Sequence, residues 1–111
     1  MEDLLLFDIN KATEIIGSKP ESLKLISILL KELEEIKLKI NTFAKLEDKR
    51  QLRDLLHSTI GMAAYCGTPL FSFQLKTLQQ KLQNQESLID NYIKDLNTTI
   101  DSMLNTVIDD L

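Results

Sequence analysis

The sequence predicts an all-α protein, an antiparallel up-down four-helix bundle with a short N-terminal capping helix. Three observations predict it. Apolar residues recur at alternating steps of three and four through most of the chain, the spacing of one buried helix face. Short polar clusters rich in capping residues punctuate that pattern. Three Gly and two Pro in 111 residues are too few for a turn-rich β protein, and no stretch alternates with period two.

Residues 3–16 hold a short helical pattern. Asp8 suits its N-cap, Ala12, Ile15 and Ile16 are apolar, and Gly17 fits the left-handed residue that ends a helix. Ser18 and Glu21 have capping-box spacing and Pro20 suits a first turn. The helix they open is expected at about 20–44, with Ile26, Leu29, Leu33, Ile36, Ile40 and Phe43 as its seam. Leu25 and Leu30 flank the seam, and Glu34, Glu35, Lys37 and Lys39 face water. After a connection at 45–48, Asp48 and Gln51 form a second capping box and open a helix at about 49–66, closed by Gly67. Thr68 and Pro69 open the next helix as N-cap and N1, and Phe71, Leu75, Leu78 and Leu82 are its seam to about residue 83. Leu70 and Phe73 fall off that seam, toward a partner surface or the terminal segment. The last helix is expected at about 87–109, with Ile89, Ile93, Leu96, Ile100, Met103 and Val107 buried. Four such helices joined by short connections make an up-down bundle, and residues 1–111 are expected to form one domain.

Composition excludes several function classes. A net charge of −4 argues against binding nucleic acid through its phosphates and against a polybasic membrane contact. One cysteine cannot form an internal disulfide, which suits a reducing compartment. The first residues lack the basic and apolar regions of a signal peptide, and no apolar run reaches the roughly 18 residues of a membrane span, so a cytoplasmic location is expected. There is no Gly-rich phosphate cradle, no GxSxG elbow and no nucleotide motif. The carboxylate pairs Glu34/Glu35 and Asp109/Asp110 read as solvated faces and helix ends.

His57 is the only histidine. At about 100° per residue, Leu52, Leu55, Thr59, Met62 and Cys66 form the buried stripe of its helix, widened by Leu56 and Ala63. His57 falls nearly opposite, on a face with Arg50, Arg53, Gly61 and Ala64, with Asp54 and Ile60 at the margins. A lone surface histidine is commonly just solvated. Here small and apolar residues make a flat pad around a nucleophile, which is the character of a docking surface. Gly61 in the helix interior costs about 1 kcal/mol relative to alanine, a cost that close approach of another surface can offset. A neutral imidazole can attack phosphorus and carry a phosphoryl group on nitrogen. Cys66, nine residues on, is half a turn out of phase and faces the core, so no Cys–His dyad forms. A metal site would need carboxylates alone around His57, and none is expected. Ser27 and Thr59 can each bond a carbonyl one turn back.

The run Leu56-His57-x-x-x-Gly61, then Tyr65-x-Gly67-x-Pro69, then a Leu-rich helix ending Leu78-Gln-Gln-Lys-Leu82, resembles a histidine-containing phosphotransfer (HPt) domain. It is most similar to the C-terminal HPt domain of BarA/GacS-type hybrid sensor kinases. The likeness covers nearly the whole helix plan and is tightest over 52–82. It implies a bundle that relays a phosphoryl group between receiver-domain aspartates, a phosphocarrier and not an enzyme with its own turnover. By this resemblance His57 is the phospho-acceptor. Gly61 leaves room for the phosphoryl group and the docking receiver, and Gln79 is a polar neighbour of the imidazole. Arg50, Asp54, Ser58, Ile60 and Ala64 would line the partner contact. The implied partners are response-regulator receiver domains and a hybrid sensor kinase. No cofactor is implied on this chain, since Mg²⁺ belongs to the receiver. The family usually carries basic residues at the positions of Ser58 and Ile60. Arg53, one turn before His57, is the substitute the sequence offers. That departure motivates an alternative, a helical adaptor that binds a receiver or another signalling protein without efficient transfer.

Overall fold

A computed structural model of the chain describes residues 4–84, 89–106 and 110–111. Its elements are α1 (Ile9–Ile16), α2 (Lys19–Lys45), α3 (Lys49–Tyr65), α4 (Pro69–Gln83) and α5 (Asp90–Leu104), and no strand occurs among the described residues. The capping residues set most boundaries. Asp8 Oδ1 accepts the Lys11 N–H at 3.0 Å, and α1 stops at Gly17, whose φ is 103°. Residues 4–8, part of the expected helical pattern, are not helical. Ser18 Oγ accepts the Glu21 N–H at 3.3 Å, and the buried Ser22 hydroxyl donates back to the Ser18 carbonyl at 2.8 Å. Asp48 accepts the Gln51 N–H with one oxygen at 3.1 Å and the Gln51 side-chain amide with the other at 2.7 Å. The expected positions at 87, 88 and 107–109, Val107 included, lie outside the described residues.

The four long helices close a ring of contacts. α2 packs on α3 and α5, α4 packs on α3 and α5, and α1 lies against α2 and α3. The seams of α2 (Ile26, Leu29, Leu33, Ile36, Ile40), α4 (Phe71, Leu75, Leu78, Leu82) and α5 (Ile93, Leu96, Ile100, Met103) are buried in one cluster, with Phe43 and Ile89 half-buried at its edge. Burying a side chain of this size is worth roughly 1.5–3 kcal/mol, so the seams hold the bundle together. Across α2 and α5, Asn41 and Asn97 exchange amide hydrogen bonds at 2.8 and 2.9 Å. Beside them Lys37 reaches Asp101 at 2.7 Å, so Lys37 spans two helices where the sequence suggested only a water-facing charge. None of the described helices is long and apolar enough to cross a membrane.

One expected stripe needs correction. In α3 the buried line is Leu52, Leu56, Thr59 and Ala63, continued by Cys66; Leu55 and Met62 are only half-buried. They open into a groove between α2 and α3 lined by Glu32, Glu35, Ile36, Lys39, Leu55, Ser58, Thr59 and Met62. The wheel is turned by part of one residue because α3 must face α2 and α4 together.

The connection from α3 to α4 is also tighter than its sequence suggested. Thr68 stands at the N-cap of α4 but does not cap it. Its hydroxyl turns back to the Ala63 carbonyl at 2.9 Å and closes α3 instead. The free Leu70 N–H at the start of α4 is taken by the Leu5 carbonyl at 3.1 Å, and Asp8 N–H donates to the Gly67 carbonyl at 2.7 Å. The segment before α1 therefore supplies the cap of α4. Gly67 makes this approach possible. Its φ is +62°, and a Cβ there would stand 2.6 Å from the Asp8 carbonyl oxygen and 2.9 Å from Ala12 Cβ. Gly61, mid-helix in α3, is the opposite case, since a Cβ there would meet nothing within 4 Å.

Urea unfolding should separate the two glycines. Gly67→Ala should lose about 3 kcal/mol, combining left-handed strain with the clash. Gly61→Ala should gain up to about 1 kcal/mol of helix propensity. Equal effects at the two positions would contradict the packing described.

Candidate functional site

The two flanks of α3 can be told apart by their neighbours. Leu55, Ser58, Thr59 and Met62 border α2. At about 100° per residue the opposite flank, Arg53, Ile60 and Ala64, borders α4. His57 stands just outside that flank, and the outermost line carries Arg50, Asp54 and Gly61. The same reasoning orients α4. Leu70, Gln74 and Thr77 share a depression with Tyr92 and Asp95 of α5, so the other flank, Ser72 and Gln79, borders α3, with Lys76 exposed on its outer shoulder. A valley between α3 and α4 therefore has His57 on one bank and Lys76 and Gln79 on the other.

His57 is exposed, as are Arg50, Arg53, Asp54, Ser58, Gly61 and Ala64. No hydrogen bond or ion pair engages the His57 ring among the described residues. Gln79 is half-buried. Ile60 is half-buried and packs against the core cluster, so it forms the floor of the valley more than an exposed pad. The Ser58 hydroxyl is spent on the Leu55 carbonyl at 3.0 Å, and Ser58 lies toward the α2 groove, apart from Gln79. Of the residues singled out in the sequence, the fold thus gathers His57, Arg53, Ile60, Ala64 and Gln79 along one valley. Arg50, Asp54 and Gly61 lie on its outer rim and Ser58 beyond it. Tyr65, 60% exposed, lies on the Ser58 side of α3, near the α3–α4 connection.

Charge on this face runs against the chain as a whole. The protein is acidic, yet Arg50, Arg53 and Lys76 have no carboxylate partner among the described residues. They remain available to an anion at His57. Lys76 was not singled out in the sequence. Its signal was the three-residue step to Gln79, which puts both on one flank of their helix.

Cys66 is separate from this chemistry. It is buried, its Sγ lies 3.6 Å from the Leu25 carbonyl, and burial pushes its thiol up to about 11. It behaves as a small core residue. Thr59 bonds the Leu55 carbonyl at 2.7 Å, the back-bond expected of it. No group of three or more His, Cys, Asp or Glu side chains that could hold a metal occurs among the described residues.

An exposed imidazole beside an open, glycine-cleared helix face and three uncommitted cations is equipped to receive an anionic group from a docked partner. Comparison with known families agrees in kind. The family profile described as Hpt domain matches residues 24–110. No curated protein and no solved structure gives a significant match. The profile covers α3 and α4 whole and most of the chain, and Hpt domains are phosphocarriers of two-component phosphorelays rather than catalysts. This chain belongs to the Hpt domain family.

Proposed function

We propose that the chain is a phosphocarrier in which His57 accepts a phosphoryl group from a receiver-domain aspartate and passes it to a second receiver. The observation that carries this reading is the exposed His57 ring with Gly61 one turn on, where even a Cβ would meet only open space. In the step, the Nε2 lone pair attacks phosphorus while Nδ1 keeps its proton. The N–P bond forms as the bond to the aspartyl oxygen breaks, and the carboxylate leaves on the receiver. The partner brings Mg²⁺; this chain contributes the nucleophile, the valley and its cations. Gln79 orients the ring from α4, and Arg53 offers charge from one turn before it. Arg50, Asp54, Ser58, Ile60 and Ala64 border the contact.

The four long helices run antiparallel, up and down, with α1 across one end, and residues 1–111 act as one domain. The pattern at 52–82 is the part that resembles the C-terminal HPt domain of BarA/GacS-type kinases, so a hybrid sensor kinase joins the receivers as a partner. The site of action is cytoplasmic, with no nucleic-acid or membrane contact by this domain.

A second reading is favoured by one specific feature. Ile60 is packed on the core and Ser58 is bonded to its own helix, so the turn after His57 offers a phosphoryl group no cation. An adaptor that binds a receiver without efficient transfer would look the same. Incubation with a phosphorylated receiver distinguishes the two. The carrier reading expects alkali-stable, acid-labile label in wild type and none in His57→Ala. Binding with equal labelling of the two proteins would favour the adaptor. Gly61→Gln should keep the helix content with an unfolding midpoint at or slightly above wild type and lower the transfer rate at least tenfold, checked by stopped-time labelling. Ile60→Lys should raise the steady-state level of phospho-His57.

A further inference from the structure

The turn of α3 that follows His57 is without a cation, but the facing helix is not. A phosphoryl group brings a charge of about −1.5 to −2 at neutral pH and three acceptor oxygens. Ser58, Thr59 and Ile60 supply none to match it. The α3–α4 connection is only three residues long, from the end of α3 at Tyr65 to the start of α4 at Pro69, and its bonds from Thr68 to Ala63 pin the two helix ends together. Counting equally away from that turn sets His57 level with Thr77. Lys76 and Gln79 then lie within two residues of it, about 3 Å along the axis. Thr77 faces α5, Gln79 lies on the flank toward α3, and Lys76 is exposed on the outer shoulder of that flank, in a surface patch shared with Ser72, Phe73 and Gln80. Packed helices stand about 8–10 Å apart, a gap that a lysine stem on the outer lip of the valley can span.

We infer that Lys76 is the cation that holds the phosphoryl group of phospho-His57, so the countercharge comes across the valley from α4. The inference rests on the proposed role of His57 and adds a positioning residue to it. The other charged groups approach the ring from other sides. Arg50 and Asp54 lie on the outer rim of α3, and Arg53 sits one turn back toward the opposite end of α3 from the connection. Glu32, Glu35 and Lys39 of α2 line the groove on the Ser58 side. α1 meets α3 by Gly67, at the far end. Lys76 is exposed and has no carboxylate partner among the described residues, so no existing ion pair must break for it to turn inward. The arrangement also explains how the chain does without a basic residue at position 60: Ile60 fills the floor of the valley, and Lys76 closes over it from the other side.

The test uses the full chain and a small phosphodonor, potassium phosphoramidate, which needs no receiver. The phospho-His57 resonance is assigned in ³¹P NMR by its absence from His57→Ala, and its protonation midpoint is followed with pH. A cation beside the dianion favours the charged form, so Lys76→Gln should raise the midpoint by about 0.4 pH units, the size expected of one charge about 7 Å away across water. Lys76→Glu should raise it about twice as far and Lys76→Arg should restore it, while Arg53→Gln shifts it less. Midpoints unchanged in Lys76→Gln and Lys76→Glu, or a larger shift in Arg53→Gln, would overturn the assignment. Failure of the carrier reading would look different: receivers would deliver no label to His57, while phosphoramidate-labelled protein would still show the Lys76 dependence.

Discussion

The closed turn between α3 and α4 is the constraint on which the rest depends. Gly67 takes a left-handed conformation that admits the Asp8 carbonyl to within 2.6 Å of where a side chain would begin. Thr68 is thereby free to finish α3, and the Leu5 carbonyl starts α4 in its place. With the turn held at three residues, the register of two helices is fixed over their whole length. That register decides which α4 side chains stand beside His57. The short α1 and the segment before it therefore contribute to the site without touching it, by holding the hinge from outside.

The face itself is built by subtraction. The seams of four helices are satisfied inward, the polar pairs Asn41–Asn97 and Lys37–Asp101 are spent between α2 and α5, and the Cys66 thiol is buried and held protonated. On the outer side of α3 and the outer shoulder of α4 stand one imidazole, the cations Arg50, Arg53 and Lys76 without a carboxylate partner among the described residues, and a glycine in open space. Gly61 costs helix stability and fills no packing need within the chain, since a Cβ there would meet nothing within 4 Å. A phosphoryl carrier has this economy, since the partner brings metal and electrophile and the carrier needs a reachable nitrogen.

Much of this was legible in the sequence. Capping signals at Asp8, Ser18 and Asp48 placed three helix starts, and the seams of α2, α4 and α5 followed from spacing because each is a single line of large aliphatics or Phe. The exposure of His57 followed from the same wheel. The α3 stripe was less legible. It contains Thr59, Ala63 and Cys66, too little hydrophobic contrast to fix its centre, and the presence of α2 and α4 on either side turned it so that Leu55 and Met62 open to a groove. Ile60 looked like an exposed pad residue and is instead part of the floor. Thr68 carried a genuine capping signal but found a better acceptor behind it. The Leu5–Leu70 and Asp8–Gly67 bonds are backbone contacts across the chain, and no side-chain pattern encodes them. Lys76 escaped notice because its meaning lies in a neighbour on another helix.

The central claim is that partners dock on the valley between α3 and α4, over His57. The most direct measurement is an amide ¹H–¹⁵N titration of the uniformly labelled protein with an unlabelled receiver domain held in its active state by beryllofluoride. The account predicts shift changes concentrated at residues 50–65 and 72–83, centred on His57 and Gly61, with the outer face of α5 unmoved and the pattern lost in Gly61→Gln. Changes centred on α5, or a pattern indifferent to Gly61→Gln, would contradict it.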